Sequence, residues 1–478
     1  MPLEKLQKVK FKNLITSSIA VFAIVMMAIV FDFNIFFTIT LLIWMLMVIK
    51  AAESIKDNVV MLFFLVAFFV FLLGREFMYD IFSDPRAYAF LDGTNSQTFI
   101  ITSISLLGVL AGAYVQKKRA SKDKDNHALE RDIKSYDHYA YAFKIAFYGC
   151  YIMSLVAVLY QIAFVKSVGY LASYTSEAGG SNLPSVFSYL QAFMPVALSM
   201  YLASCPPRRK VYLPVALYEV YAVLTLLTGK RYPFIGISLF ILSYFFLRQR
   251  REMGWIKRWY YVAIAIALPI LMVFITIYDA IRLGKSVDTS GIADGLKDFF
   301  VSQGGSINVI RRTIYNASQI KDMHFVSFSK LYAGIFENSI SRALFGTVSY
   351  SGNSYAHAMY GHSLEHRLSY IAFGNDYLAG RGVGSSYIAE LYHDFSYIGV
   401  FVGSFIYGVI IEKINKIEFK APFLSGLALS FVYYLYLSPR GNFDGFLGGI
   451  VNIYALALLI CCCFLAQFIN RYIFHKEQ

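Results

Sequence analysis

Long apolar runs recur from one end of the sequence to the other, and they constrain the fold more than any other feature. Each run approaches ~20 residues, the length at which an α-helix crosses the ~30 Å hydrocarbon core of a bilayer. Hydrophobic residues make up 58% of the chain and charged residues 15%, whereas soluble domains average about 45–50% and 25%. The sequence therefore predicts an all-α polytopic membrane protein.

We expect twelve transmembrane helices, which places both termini on one side of the membrane. The runs lie at residues 14–31, 35–50, 58–74, 98–115, 140–163, 186–204, 211–228, 233–247, 260–279, 396–411, 422–437 and 446–469. Residues 280–395 are neither apolar enough to span nor simple enough for a disordered linker. The chain thus divides into helices 1–9 (1–279), a mainly helical exoplasmic loop domain (280–395) and helices 10–12 (396–478). Within the loop, IRRTIYNASQI and FENSISRALFGTV predict short amphipathic helices.

The net charge of +13 raises the question of nucleic acid, but the Lys and Arg residues fall in short clusters between apolar runs. Alternate loops carry KKRASKDK, PPRRK, RQRREMGWIKR and EKINKIEFK. Short cytoplasmic loops are rich in Lys and Arg. We therefore attribute the charge to topology, exclude nucleic acid as a partner, and expect both termini in the cytoplasm, with the first helix as a signal anchor.

Two short segments place cations on the opposite side, where they are normally scarce. TGKRYPF (228–234) carries Lys230 and Arg231, and SPRGNF (438–443) carries Arg440. Lys230 and Arg231 can capture an anion at the membrane surface or anchor to lipid phosphates. A guanidinium at a helix junction needs an anionic partner, which for Arg440 can be a substrate phosphate, Asp444 or a lipid headgroup.

A third segment, GRGVGSSYIAELYHDF, precedes the tenth run. Its glycines permit a tight turn, Ser385 or Ser386 can cap the following helix, and the free N–H groups of a helix start favour phosphate. Arg381 would add charge to that site. Glu390 and His393 are three residues apart and share a helix face, as a general base and its orienting partner would. The alternative is an ordinary capped helix start.

The predicted loop domain adds further candidates. Arg312, Arg342 and Arg367 could make bidentate bonds to a diphosphate, or could be solvated or paired locally. His366 is a second candidate base. The histidines lack HExxH or another metal spacing, so we expect no metal and no cofactor. The loop's many tyrosines suit sugar stacking and interfacial anchoring equally.

The order of these segments resembles the O-antigen polysaccharide polymerase (Wzy-type) family. The resemblance rests on GRGVGSSYIAELYHDFSYIGVFVGSFIYG in residues 380–408, with TGKRYPF before the large loop and SPRGNF after it. In this family the pattern G-x-G-S-S-x-I-A-E-x-Y leads into a Gly-rich helix. The rest of the match is one of topology and length.

The resemblance implies a metal-independent, lipid-dependent glycosyltransferase with a GT-C-like fold, similar to O-antigen ligases. Such an enzyme moves a growing glycan from undecaprenyl diphosphate onto the non-reducing end of another lipid-linked repeat unit, outside the cytoplasm. Its expected surroundings are the bacterial cytoplasmic membrane and its lipid, with chain-length regulator and flippase proteins as implied partners. The product would be an O-antigen, capsule or exopolysaccharide.

Two other functions remain open at this point. A flippase of the same lipid-linked glycan would need charged residues along a path through the membrane, where Glu219 is the main candidate. An O-antigen ligase would transfer the glycan to a second lipid acceptor. The products formed from lipid-linked repeat units distinguish the three.

Overall fold

A computed structural model describes residues 3–82, 92–124, 137–175, 183–282 and 292–474. Within these ranges the chain is helical, apart from turns, irregular segments and one isolated bridge. The first ten helices are α1 (Leu3–Val30), α2 (Ile35–Ala52), α3 (Ile55–Phe68), α4 (Gly74–Phe82), α5 (Asn95–Lys124), α6 (Asp137–Val168), α7 (Ser185–Ala203), α8 (Arg208–Leu226), α9 (Tyr232–Arg251) and α10 (Arg258–Arg282). A π-helical turn, Phe69–Leu73, joins α3 to α4.

Short helices follow, before the chain returns to long ones. They are α11 (Ile292–Gln303), α12 (Ile307–Tyr315), α13 (Ser329–Phe336), α14 (Ser339–Phe345), α15 (Tyr355–Tyr360), α16 (Leu364–Phe373) and α17 (Asn375–Leu378). The last helices are α18 (Tyr387–Asn415), α19 (Pro422–Leu437), α20 (Gly445–Gly448) and α21 (Ile453–Ile469). Short helices form where IRRTIYNASQI and FENSISRALFGTV predict them, as α12, which buries an apolar face, and α14.

The all-α polytopic fold is confirmed. In the described part of the chain, nine helices are long and apolar enough to cross a membrane. The predicted runs 14–31, 211–228 and 422–437 also lie on helices, but these are shorter or less apolar, so the count of twelve stays a prediction. The run 446–469 forms a spanning helix only from Ile453 onwards. Residues 283–291 of the predicted loop domain lie outside the described residues, and its boundaries stay a prediction.

Three of the basic loops meet at one end of the bundle. Arg250 at the end of α9 donates hydrogen bonds to the carbonyl oxygens of Asn415 and Ile417 after α18. Arg208 at the start of α8 donates to the carbonyl oxygen of Trp255 at 3.2 Å. We call this the basic end. The TGKR turn precedes α9 and so lies at the opposite end, which we call the mouth end.

Close packing of α5 on α18 fixes where α18 begins. A Cβ on Gly112 would lie 2.0 Å from the carbonyl oxygen of Phe405, and only glycine tolerates that approach. Within this contact, the Ser105 hydroxyl bonds to the hydroxyls of Tyr387 at 2.6 Å and Ser404 at 2.9 Å. The first residue of α18 is thereby tied to α5.

Helices α9 and α19 pack together near the mouth end. A Cβ on Gly236, in the second turn of α9, would lie 2.5 Å from the ring of Tyr433 and 3.3 Å from Leu437, the last residue of α19. Farther along α9, toward the basic end, the hydroxyls of Ser243 and Tyr436 are 2.5 Å apart. The start of α9 therefore lies beside the end of α19.

Candidate functional site

Two of the predicted cations, Arg231 and Arg440, both lie at the mouth end. Arg231 immediately precedes α9, and Arg440 ends the 3₁₀ turn that follows α19. Nη1 of Arg440 donates to Oε1 of Gln303 at 2.9 Å, and its guanidinium lies 5.8 Å from the ring centre of Phe71. Tyr232, the neighbour of Arg231, lies within electrostatic range of Arg440. The packing of α9 on α19 thus places Arg231 and Arg440, which are 209 residues apart in the sequence, at the same end of the bundle.

A cavity of 310 Å³ lies between the 3₁₀ turn Ala172–Tyr174 and the segment around Asn353. Thr175 and Asn353 form a parallel bridge, and the Asn353 N–H donates to the carbonyl oxygen of Tyr174 at 2.8 Å. The side chains that line the cavity include Ser173, Tyr174, Thr175, Ser351, Asn353 and His366. Hydroxyl, amide and aromatic groups suit a sugar, and the volume is at the lower end of small-molecule sites.

Lys230 connects the TGKR turn to this cavity. Its Nζ lies 6.0 Å from the ring centre of Tyr174, which lines the cavity. Burial lowers the pKa of the Lys230 ammonium. An anion bound nearby would favour the charged form again. Lys230, Arg231 and Arg440 all lie at the mouth end, with Lys230 beside the cavity wall, and we call these three cations the mouth cluster.

The glycine turn before α18 supports the cavity wall. Gly380 has φ +103°, and a Cβ there would lie 2.0 Å from the carbonyl oxygen of Leu171. Asn353 Nδ2 donates to the carbonyl oxygens of Tyr377 at 2.9 Å and Arg381 at 3.2 Å. The turn thus packs against both segments that enclose the cavity.

His366 lines the cavity with a defined tautomer. Its Nδ1 lies 2.8 Å from the hydroxyl of Tyr377, which in turn donates to the carbonyl oxygen of Ser354 at 3.3 Å. A hydroxyl has one hydrogen, so Tyr377 accepts from His366 Nδ1–H. In neutral His366, Nε2 therefore carries the lone pair and can accept a hydrogen bond or a proton.

Burial, a second imidazole and a lysine keep His366 neutral. The His357 ring stacks on it with centres 3.6 Å apart. Burial, His357 and Lys330 together lower the pKa of His366 to about 3. The pKa of His357 is lowered as well, mainly by burial. The two rings therefore form a neutral pair beside a positive charge.

Lys330 and Asp444 are site residues that sequence reasoning missed or treated only as partners. Asp444 is fully buried, accepts the Leu331 N–H at 2.6 Å, and has its pKa raised to about 6 by burial, against the opposing charge of Lys330. Glu365 is within electrostatic range of both Tyr232 and His357. No motif marks Lys330 or Glu365, and only the fold brings them near the mouth cluster.

Glu390, the predicted base, is fully buried and ties two motif segments together. Its Oε1 accepts from the Ser385 hydroxyl at 2.7 Å and from Asn442 Nδ2 at 2.6 Å. Its Oε2 accepts from the Phe443 N–H at 2.8 Å. Glu390 thus connects the glycine turn to the SPRGNF segment that carries Arg440.

The predicted serine cap of α18 is wrong. Ser386 stands at the N-cap position but makes no side-chain cap hydrogen bond, and Ser385 bonds to Glu390 instead. Ser385, which precedes the N-cap position, thus donates to the carboxylate in the first turn, while the Ser386 hydroxyl at the N-cap position is buried without a hydrogen-bond partner. The signal that could have shown this is the spacing of Ser385 and Glu390, which lets a serine reach the first turn of its own helix.

His393 and its neighbour Asp394 hold a loop. His393 Nε2 lies 3.0 Å from the carbonyl oxygen of Met323 and must donate to it. Asp394 accepts from the N–H groups of Val326 at 3.1 Å and Ser327 at 2.8 Å. Glu390 and His393 therefore lie in separate hydrogen-bond networks and do not contact each other as a base and its orienting partner.

The loop arginines are distributed over other sites. Arg367 is buried, donates to the carbonyl oxygens of Ala358 and Met359, and pairs with Asp322 at 2.9 Å. This network fixes the α15–α16 connection. The sequence could not show it because Asp322 lies 45 residues away.

Arg312 and Arg381 lie over the ring of Phe373, at 5.5 Å and 4.3 Å from its centre. Arg381 is exposed and pairs with Asp376 at 3.2 Å, and burial with the charge of Arg381 lowers the pKa of Arg312. Arg342 is exposed on α14. None of these side chains lines the cavity.

Glu219 pairs across two helices, because Ser238 of α9 donates to its Oε1 at 2.6 Å. Within the described ranges, no group of three or more His, Cys, Asp or Glu side chains is placed to hold a metal ion.

Comparison with known proteins identifies a family. The model of the family described as O-antigen polysaccharide polymerase Wzy matches residues 13–473. No curated protein and no solved structure matches the chain.

Proposed function

Because the chain belongs to the O-antigen polysaccharide polymerase family, we propose that it transfers a growing glycan from undecaprenyl diphosphate onto the non-reducing end of another lipid-linked repeat unit. The family acts on lipid-linked oligosaccharide repeat units in the membrane, which agrees with the apolar helices of this chain. The observation that carries the proposal is the set of cations at the mouth end, with Lys230 beside a cavity that His366 lines with an accepting nitrogen.

The mouth end would face the outside of the cytoplasmic membrane. Lys117, Arg208 and Arg250 belong to loops at the basic end, where the positive-inside rule places the cytoplasm. Both termini would then be cytoplasmic. This orientation puts the mouth cluster at the level of the lipid headgroups, where a diphosphate stays because its polyprenyl chain is in the bilayer.

The mouth cluster would bind the diphosphate leaving group. Arg231 and Arg440 approach from two helix ends, and Lys230 lies at the cavity beside Tyr174. As the bond between the anomeric carbon and the diphosphate oxygen breaks, the electron pair goes to that oxygen, and nearby cations stabilise the new charge. A preformed cation set would lower the barrier without a protonating acid.

His366 would act on the acceptor. Its Nε2 can accept the proton of the sugar hydroxyl while that oxygen forms the new bond to the anomeric carbon. Its pKa of about 3 describes the site without a bound anion. The negative charges of a diphosphate beside Lys230 would raise that pKa and make His366 a better base.

The test is to incubate the purified full chain in lipid vesicles with synthetic undecaprenyl-diphosphate-linked repeat units. A ladder of longer lipid-linked glycans, with release of undecaprenyl diphosphate, is the expected result. Transfer only to a second lipid acceptor would indicate a ligase, and movement across the bilayer without chemical change would indicate a flippase. Either outcome would overturn the proposal. Adding a chelator should leave the ladder unchanged.

A further inference from the structure

The hairpin formed by α13 and α14 exposes an unusual number of large apolar side chains. Leu344 is 70% exposed, Phe345 72% and Val348 62%, and Phe336 and Ile340 are each 40% exposed. The residues belong to the predicted exoplasmic domain, which is not expected to face lipid. Contiguous apolar patches of this kind mark surfaces that contact a partner or a membrane.

The hairpin lies against the mouth-end starts of two spanning helices. Ser339 is hydrogen-bonded to Tyr189 in the second turn of α7, and the ring of Tyr189 stacks on Tyr454 of α21 with centres 3.7 Å apart. A Cβ on Gly334 of α13 would lie 3.2 Å from the carbonyl oxygen of Val451, just before α21. The patch is therefore at the level where α7 and α21 enter the bilayer.

The apolar surface continues onto those helices. Val186, one turn before Tyr189, is 53% exposed, and Leu456, two residues after Tyr454, is 40% exposed. Both lie on helices that are long and apolar enough to span. The hairpin therefore extends a lipid-facing surface, which favours the membrane over a water-soluble partner.

Polar side chains of the hairpin satisfy several of its own backbone groups, which contact with hydrocarbon requires. Asn338 donates to the carbonyl oxygens of Gly334 at 3.2 Å and Ile335 at 2.8 Å and accepts from two N–H groups of α14. Ser341 donates to Ile335 O, and Thr347 donates to Phe336 O at 2.6 Å. The side chains of Asn338, Ser341 and Thr347 thus hydrogen-bond to the backbone of the hairpin itself.

We propose that residues 335–348 are seated in the outer leaflet of the membrane, with Ile340, Leu344, Phe345 and Val348 in contact with lipid chains. Arg342, exposed in the last turn of α14, reaches the phosphate plane, as long basic side chains do at interfaces. Glu337 remains on the protein side, within electrostatic range of Lys330. Arg342 is thus a lipid contact rather than a ligand of the substrate diphosphate.

Placing residues 335–348 in the outer leaflet would also fix the height of the candidate functional site. Lys330 is on the same hairpin. A Cβ on Gly448 would lie 3.1 Å from the Cβ of Lys330, and Lys330 is within electrostatic range of Asp444. A hairpin held at the interface would hold Lys330 and the histidine pair at the height of the headgroups. The seat itself depends only on the orientation of the mouth end and not on the reaction that the protein catalyses.

Site-directed spin labelling in vesicles tests the proposal. The five native cysteines are replaced by serine in the full chain, and a nitroxide is attached at Leu344→Cys or Phe345→Cys. We expect accessibility to oxygen to exceed accessibility to a water-soluble nickel chelate, as at a matched lipid reference, Ile460→Cys on α21. Lys321→Cys, exposed in the loop domain, is the aqueous control.

An accessibility ratio at both hairpin positions equal to that of Lys321→Cys would overturn the proposal. If the cysteine-free chain does not fold, Phe345→Trp in the natural background gives the same comparison: lipids brominated on their acyl chains should quench the added fluorescence, and quenching only by aqueous iodide would refute the seat. A lipid-exposed label in a protein that forms no glycan ladder would leave the seat intact and reject the polymerase proposal, so the two are separable.

Discussion

The mouth cluster and the start of α18 both carry candidate site residues in the sequence, but their polar groups differ in solvent exposure and in hydrogen-bond partners. Lys230, Arg231 and Arg440 are partly accessible, and Lys230 lies beside Tyr174 of the cavity wall. Glu390 is completely buried, and its two oxygens accept three hydrogen bonds from the protein. The comparison separates residues that could touch a substrate from residues that hold the first group in place.

The difference shows that a motif can be distinctive because of what it connects. The first turns of α18 contact α5 through Tyr387, the loop after α12 through His393 and Asp394, and the SPRGNF segment through Glu390. Each contact joins parts of the chain that are far apart in sequence. A change in this segment would therefore move several elements at once.

The largest expected effect is that of Glu390→Ala. It leaves the Ser385 hydroxyl, the Asn442 amide and the Phe443 N–H without their acceptor, and since each buried donor left unsatisfied costs about 1–3 kcal/mol, the free energy of unfolding should fall by about 3 kcal/mol or more. The midpoint of denaturation in detergent and the amount of protein in membranes both measure it.

Glu390→Gln keeps one oxygen and the side-chain volume, so it should lose less stability than Glu390→Ala. Loss of glycan transfer without loss of stability would instead assign Glu390 a part in the reaction. If both variants kept the stability of the natural protein and lost all glycan transfer, the role of Glu390 as a structural connection would be wrong.

The fold was predictable from sequence to the extent that it depends on local hydropathy. Each of the predicted apolar runs overlaps a helix, because burying backbone polar groups in a bilayer requires one. The cations Lys230, Arg231 and Arg440 were predictable because they violate the charge rule for loops. Lys330, Tyr377 and the partners of Arg367 were not, since their contacts join residues far apart in sequence and no periodicity encodes them.

Replacing His366 tests the chemical side of the comparison. His366→Ala removes the accepting Nε2 at the cavity, and loss of a general base typically slows a reaction by about a hundredfold or more. His393→Ala removes a hydrogen bond to Met323 O and should cost about 1 kcal/mol of stability with little change in kcat. Rates measured on vesicle-embedded protein, corrected for the folded fraction, distinguish the two histidines; equal loss of kcat in both would contradict the assignment.

Arg231→Ala and Arg440→Ala should each slow glycan transfer without unfolding the protein. Loss of a charge-assisted contact of about 1.5–3 kcal/mol in the transition state corresponds to a decrease in kcat/KM of about tenfold to more than a hundredfold. In cells, polymer should shorten or disappear while single-unit glycolipid accumulates. Lys321→Ala, an exposed change in the loop domain, is the control, and polymers of normal length in both arginine variants at normal protein levels would remove the mouth cluster from the site.

The histidine pair predicts a dependence of stability on pH. Because the folded pKa of His366 is about 3 and the unfolded value is about 6.5, the unfolded chain binds the proton more tightly. The stability is complete above pH ~6.5 and falls as the pH drops toward 3, by at most about 1.4 kcal/mol per pH unit for this residue. Denaturation midpoints at pH 7.5 and 5.5 should therefore differ less for His366→Gln than for the natural protein, and an identical difference would show that His366 is not held neutral.

Arg381→Ala should have the smallest effect, although its position in the glycine turn made it a candidate for diphosphate binding. Its guanidinium is 58% exposed, lies over Phe373 and pairs with an equally exposed Asp376, and such surface pairs contribute about 0–1 kcal/mol. Its carbonyl oxygen, which accepts from Asn353, is unaffected by the change. We therefore expect chain-length distributions and kcat/KM close to those of the natural protein. A loss as large as that of Arg440→Ala would mean that the substrate extends across the glycine turn, and the site would then have to include Arg381.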